Sequence, residues 1–235
     1  RNHLKWAHSQ RKSKLQWTKK IMGNRKKISA VIFDCDGVMF DSRQANVNFY
    51  NHLLDRFDLP SMDEKETAFV HMATGSDSVK HIFRKTDYFE KAEAYRMQVD
   101  YNPFIRDMLI EPGLITLLKH LKAEYRLGVA TNRSNTIEEV LKQNGLTELF
   151  EIVISSLDVK HPKPHPEALL KILEFFGLPS MEAVYIGDSS VDYETAEAAK
   201  VPFIAFKNDH LQTPYKVESM DEIVGVLKEM EKSIP

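Results

Sequence analysis

"VIFDCDGVMFDS", residues 31–42, sets two aspartates, Asp34 and Asp36, one residue apart at the end of an apolar run. Two apolar segments split by Asp36-Gly37 make a hairpin signal, because Asp-Gly suits a tight primed turn. That explains Asp36 and leaves Asp34, which ends a segment apolar enough to be buried, where charge is costly. Side chains two apart in an extended chain point the same way. Asp34 and Asp36 therefore share a target while Cys35 faces elsewhere. One carboxylate can attack an electrophile while the other moves a proton.

The run leading into Asp34, "ISAVIFD" (28–34), is short and apolar throughout, like a strand buried on both faces of a parallel sheet. Similar runs recur at "RLGVAT" (126–131), "FEIVIS" (150–155), "AVYIGD" (183–188) and "PFIAF" (202–206). Helical patterns lie between them. Ile137, Val140 and Leu141 share a face, with Asn135 and Glu138 as an N-terminal box and Gly145 as the stop. Leu169, Ile172, Leu173 and Phe176 follow i, i+3, i+4, i+7 spacing, repeated by Ile223, Val226, Leu227 and Met230. Strands alternating with helices predict an α/β fold with a doubly wound, Rossmann-like parallel sheet.

One interval breaks the alternation. More than ninety residues separate the first strand from "RLGVAT", whereas a crossover needs only a dozen or so. Ala45, Phe49, Leu53 and Phe57 form one helical stripe, and further helices are expected near 62–73, 77–85 and 89–100. The stripe Leu114, Leu117, Leu118 and Leu121 after "EPG" belongs to the core. The expected division is a helical cap at 43–110 inserted into a core of 28–42 and 111–235, preceded by a basic extension, 1–27.

Composition bounds the function class. A single cysteine in 235 residues excludes an internal disulfide and favours a reducing compartment, so a cytoplasmic location is expected. No run of about 18 apolar residues is present to span a membrane. Residues 1–27 carry ten Lys or Arg and no acid, leaving 22 basic and 34 acidic residues, a net charge of −12, beyond them. The arm lacks the apolar centre of a secretory signal. An import peptide for an organelle, an arm for nucleic acid or acidic lipid, an arm packed on its own acidic domain, and retained upstream sequence all fit it. The acidic remainder argues against nucleic acid as the main partner.

Ligands of open α/β sheets bind outside the carboxyl ends of the strands. There the first run supplies Asp34 and Asp36, the second Thr131, Asn132 and Arg133, and the fourth, "GDSSVD", Asp188 and Asp192. "HPKPHPEAL" sets Lys163 just before a helix. Two carboxylates 4 Å apart repel by roughly 4 kcal/mol at an effective dielectric of 20. A converging group must be relieved by protonation or a cation. All-oxygen ligands point to a hard ion, Mg²⁺, and so to a small phosphorylated substrate.

"DCDGVMFDS", "VATNRS", "KPHPEALL" and "VYIGDSSVD" occur in the order of the four motifs of the haloacid dehalogenase superfamily, and resemble most its phosphoglycolate phosphatase and β-phosphoglucomutase-like branch. The resemblance covers roughly residues 29–230. It implies a nucleophile in Asp34, forming an aspartyl-phosphate and binding Mg²⁺. It implies a general acid and base in Asp36, whose backbone carbonyl also meets the metal. Thr131 and Lys163 would hold the phosphoryl group, Asp188 would ligate Mg²⁺, and Asp192 would do so directly or through water. Asp192 read alone is equally a helix-start residue. Asn132 is expected beside the phosphoryl group, and Arg133 as either an anion contact or a solvated helix-start residue.

Substrate choice is assigned to the cap. "HMATGSDS" (71–78), with Gly75 permitting a turn and Ser76 beside it, sits where relatives carry a specificity loop. β-Phosphoglucomutases carry an arginine in that loop and this chain has none. Tyr88, Tyr95 and Tyr101 recur at wide spacing and are expected in core packing, with the cap interface as the alternative. The resulting expectation is a Mg²⁺-dependent phosphatase on a small phosphate monoester, a monomer or homodimer. A phosphosugar mutase and a silent scaffold on the same fold are the alternatives.

Overall fold

The computed structural model describes residues 28–233; the basic extension 1–27 lies outside the described residues. β1 (Ala30–Phe33), β4 (Arg126–Ala130), β5 (Ile152–Ile154), β6 (Ala183–Gly187), β7 (Phe203–Phe206) and β8 (Lys216–Val217) form a sheet in the order β5-β4-β1-β6-β7-β8. Every neighbouring pair is parallel. Alternation along the strands divides the core. Val31 and Phe33 of β1 pack on one face with Val184 and Ile186 of β6. Ala30 and Ile32 pack on the other with Ala183 and Tyr185. Burial on both faces explains why these strands read as unbroken apolar runs.

From β1 the chain first goes to β4 on one side, and later crosses back to β6 on the other. That reversal opens the crevice in which doubly wound sheets bind ligands. The interval before β4 is helical as expected: α1 (Arg43–Asp55), α2 (Glu64–Met72), α3 (Gly75–Ile82), α4 (Phe89–Arg96) and a short α5 (Asn102–Ile105). Phe49 of α1 anchors it, meeting the rings of Tyr50, Tyr101 and Phe104 edge-on or nearly so at 5.0–5.3 Å. Aromatic rings of opposite quadrupole orientation favour that geometry.

The sequence signals miss a small device where the chain enters and leaves this helical part. β2 (Phe40–Asp41) pairs antiparallel with β3 (Leu109–Ile110). Two-residue strands carry too little pattern to be read from sequence. The hairpin suggested by Asp36-Gly37 is not made, because Phe40 joins β3 rather than folding back on β1. Gly37 still turns the chain, with φ of 81° and its N–H on the Phe40 carbonyl at 2.8 Å.

The remaining helices are α6 (Leu114–Lys122), α7 (Ile137–Gln143), α8 (Glu167–Phe176), α9 (Ser190–Ala199) and α10 (Met220–Ser233). One expected cap fails. Thr136, not Asn135, precedes α7, without a side-chain cap. The Asn135 Oδ1 atom instead accepts from the Ser134 hydroxyl at 3.1 Å.

Candidate active site

Asp34 follows β1 directly, at the position where the alternation of Ala30 and Ile32 carries its side chain toward Tyr185. Lys163 meets it there, its Nζ 2.7 Å from Asp34 Oδ1, 2.6 Å from Asp192 Oδ1 and 3.0 Å from the Tyr185 hydroxyl. An ammonium has three donors, and all three are used. This satisfaction is what permits a lysine to be 93% buried (7% exposed). The Tyr185 hydroxyl in turn donates to Asp192 Oδ1 at 2.7 Å and lies 3.1 Å from the Ala130 carbonyl.

Asp192 sits in the first turn of α9. Its Oδ2 accepts the Ser189 N–H at 3.1 Å while the Ser189 hydroxyl accepts the Asp192 N–H at 3.2 Å, a capping box. That hydroxyl also donates to Oδ2 at 2.6 Å. Oδ1 takes Lys163 and Tyr185. Four donors thus occupy its two oxygens, so the residue that starts α9 also stands beside Asp34 and Lys163. Burial works against its charge, but the neighbouring Lys163 wins and its pKa falls below the usual carboxylate range.

Oxygens of Asp34, Asp188 and Asp192 lie within 4.8 Å of one another. The consequence is electrostatic. Burial, with the Asp192 charge beside it, raises Asp34 from 3.8 to about 7 despite Lys163. Burial and the charges of Asp192 and Asp34 raise Asp188 to about 8. Three carboxylates against one lysine leave two formal negative charges, which a divalent cation would balance. The donor set is all oxygen, as a hard ion requires. Gly37 belongs to this cluster as well, since a Cβ there would stand 2.1 Å from Asp188 Oδ2.

The four carboxylates expected from the sequence meet at this edge, but the close cluster holds three of them, Asp34, Asp188 and Asp192. The Asp36 side chain turns aside to Arg133, whose Nε and Nη2 donate to Asp36 Oδ1 at 3.1 and 2.7 Å. Burial opposes the Asp36 charge, and the Arg133 guanidinium more than offsets it, holding the carboxyl below its usual range. β1 has ended by this point, so the two-residue alternation no longer fixes a common direction. Arg133 is thereby a buried partner of the acid and not a solvated helix-start residue.

Thr131 is buried at the end of β4, its hydroxyl accepting the Arg133 N–H at 3.1 Å. Asn132 lines the cleft, but its amide is engaged elsewhere. Its Oδ1 accepts the Lys163 N–H at 3.0 Å, and its Nδ2 donates to the Lys163 carbonyl at 3.2 Å. It clamps the loop that delivers the lysine. The same Nδ2 reaches the Met72 carbonyl of α2 at 3.4 Å.

The expected loop at 71–78 is shorter than its sequence suggests. Only Ala73 and Thr74 separate α2 from α3. Ser76 is exposed in the first turn of α3 and is not among the residues lining the cleft, whereas Gly75 is. Gly75 serves close approach rather than a turn, because a Cβ there would lie 2.6 Å from Arg96 Nη1. The cleft runs from Asp34, Asp188 and Lys163 to Tyr50, Arg96 and Tyr101. Arg96 and Tyr101 lie outside the four motifs, and Tyr185 lies inside one that gives it no role. The one sequence signal for Tyr185 is a hydroxyl-bearing residue inside the run "AVYIGD".

The family model described as Haloacid dehalogenase-like hydrolase matches residues 31–206. A HAD-superfamily hydrolase of subfamily IA, variant 1, from Geobacter sulfurreducens superposes with a TM-score of 0.71 at 40% identity, covering 87% of this chain and 98% of that one. β-Phosphoglucomutase from Clostridium difficile shares the fold, with a TM-score of 0.77 at 20% identity over 87% of this chain and 97% of that one. Pyrophosphatase PpaX of Bacillus cereus is 27% identical over 219 residues, 88% of this chain and all of that protein.

Proposed function

We propose, from the premise that this chain belongs to the haloacid dehalogenase-like hydrolase family, that it is a Mg²⁺-dependent phosphatase of a small phosphate monoester. The observation that carries the reading is Asp34: a carboxylate fixed at one oxygen by Lys163 and facing the cleft beside Asp188. The pyrophosphatase and mutase names among its relatives agree with phosphoryl chemistry at this site.

Asp34 and Asp188 would hold the ion, with Asp192 behind them because its oxygens already serve four donors. When bound, Mg²⁺ neutralises the charge of the attacked phosphoryl group. Asp34 forms a bond to phosphorus as the ester P–O bond breaks. Asp36, ionised beside Arg133, parts from it as substrate enters, takes up a proton from water, and gives that proton to the leaving oxygen. Water then attacks the aspartyl-phosphate, Asp36 takes the water's proton, and the bond from Asp34 to phosphorus breaks. Lys163 and Thr131 offset the charge of the transferring group, and the helical cap excludes bulk water. A cap boundary at residues 43 and 110 is part of this reading, supported by the β2–β3 pairing beside both positions.

Phosphate release from p-nitrophenyl phosphate tests it. Turnover with Mg²⁺ that stops in chelator and returns with added ion is the expected result. Full activity in excess chelator overturns the metal assignment, and no release under any condition overturns the phosphatase.

A further inference from the structure

The described chain opens at the edge of the sheet opposite the cleft. The Ser29 N–H donates to the Glu182 carbonyl at 2.7 Å, and the Arg126 N–H donates to the Ser29 carbonyl at 3.0 Å. Ile28, just before, is fully buried. Residue 27 therefore joins the molecule where β4, β1 and β6 begin, while the cleft lies where they end.

Two large apolar side chains stand in water at that edge. Phe175, in the last turn of α8, is 55% exposed. Met181, in the 3₁₀ turn Ser180–Glu182 that leads into β6, is 54% exposed. Arg126 holds the first in place, its guanidinium 5.6 Å from the Phe175 centroid and its Nη1 donating to the Phe176 carbonyl at 3.1 Å. Carboxylates border both. Glu174 is exposed next to Phe175, Glu182 follows Met181, and Glu151 accepts from Arg126 at 2.7 Å. Single exposed apolar residues are ordinary, but these two flank the point where residues 1–27 enter.

That segment has the complementary chemistry. It holds ten Lys or Arg, no acid, and both tryptophans of the chain, Trp6 and Trp17, against a net charge of −12 for the remainder. Residues 18–27 separate Trp17 from Ile28, and extended they reach about 35 Å. Phe175 and Met181 adjoin the strands next to β1, and neighbouring strands lie about 4.8 Å apart, so this tether is ample. Covalent attachment gives the indole an effective concentration of about millimolar at the surface, so modest contacts suffice.

We propose that this edge, at Phe175 and Met181, is a docking surface for the chain's own segment 1–27. Trp17 lies on the two apolar side chains, and Lys14, Lys19 and Lys20 beside it in sequence face Glu151, Glu174 and Glu182. Docking leaves the cleft free, because the two lie at opposite edges of the sheet, and the proposal stands apart from the phosphatase reading.

Intrinsic fluorescence of the full chain reads this segment alone, since Trp6 and Trp17 are the only tryptophans. Acrylamide should quench it at least about twofold less than it quenches the synthetic peptide 1–27, because a docked indole is shielded. Trp17→Phe should abolish that difference. NaCl at about 1 M, which screens charges beyond about 3 Å, should weaken the protection. Phe175→Ser with Met181→Ser should remove most of it while the far-UV circular dichroism stays that of the wild type. Glu174→Lys, on an exposed side chain, should weaken it without touching the apolar residues, and decides the matter if the double variant misfolds. Quenching equal to that of the peptide at low salt overturns the proposal and leaves the segment for a partner outside the chain. Protection that ignores salt, persists in these variants or falls on dilution overturns it as well, the last because a second copy would then supply the surface.

Discussion

Arg133 meets Asp36 with two N–H groups on a single carboxylate oxygen, at 3.1 and 2.7 Å, inside the cleft that also holds Asp34. The other side of the guanidinium lies over the Tyr101 ring, 5.2 Å from its centroid, and Nη1 donates to Thr136 at 3.2 Å. The arginine therefore ties the proposed proton carrier to the end of β4 and to Tyr101, the residue before α5.

Breaking that pair from one side leaves a buried charge without its partner. Arg133→Leu should destabilise the chain by about 3–5 kcal/mol, read as a lowered urea midpoint. Arg133→Leu combined with Asp36→Asn should cost clearly less than the sum of the single changes. Additive losses would mean that the two side chains do not depend on each other.

Asp34→Asn should lower turnover of p-nitrophenyl phosphate by at least about 10³-fold, because an amide cannot take phosphorus as a carboxylate does. The same change removes a charge that burial and Asp192 disfavour. Its melting temperature in chelator at pH 8 should thus be no lower than that of the wild type. Appreciable residual turnover defeats the nucleophile assignment.

Stability in the absence of metal should depend on pH in a definite direction. Asp34 and Asp188 titrate near 7 and 8 in the folded chain against about 4 unfolded. Between those values the folded state binds more protons, so stability falls as pH rises from about 4 to 8. Asp36 and Asp192 are shifted down, and their contribution is lost only as pH drops below about 4. Mg²⁺ should reverse the alkaline loss, raising the melting temperature by several degrees at pH 8 and by little at pH 5. A Mg²⁺ effect independent of pH would contradict the cluster.

Tyr185→Phe deletes a hydroxyl that serves Lys163 and Asp192 at once. Leaving both short of a partner should cost about 1–3 kcal/mol. Turnover should fall with the lysine's altered position, by less than in Asp34→Asn. Chemical denaturation and phosphate release on the same preparation measure the two effects.

The sequence by itself determined the fold class, the helical interruption after the first strand, and the positions of Asp34, Lys163 and Asp188. Apolar runs buried on two faces and helices with a single apolar stripe are local patterns, and the strand ends follow from them. Motif spacing carried the rest of that reading, through Thr131 and Asp192. Only the tertiary structure decided the partners. Asp36 goes to Arg133, 97 residues away; Asn132 goes to the Lys163 backbone; Arg96 enters the cleft from a helix with no motif. Each of these is a choice among long polar side chains made by burial, since a charge withdrawn from water must find whichever partner the packing puts within about 3 Å. That packing is a property of the assembled chain, and no local spacing encodes it.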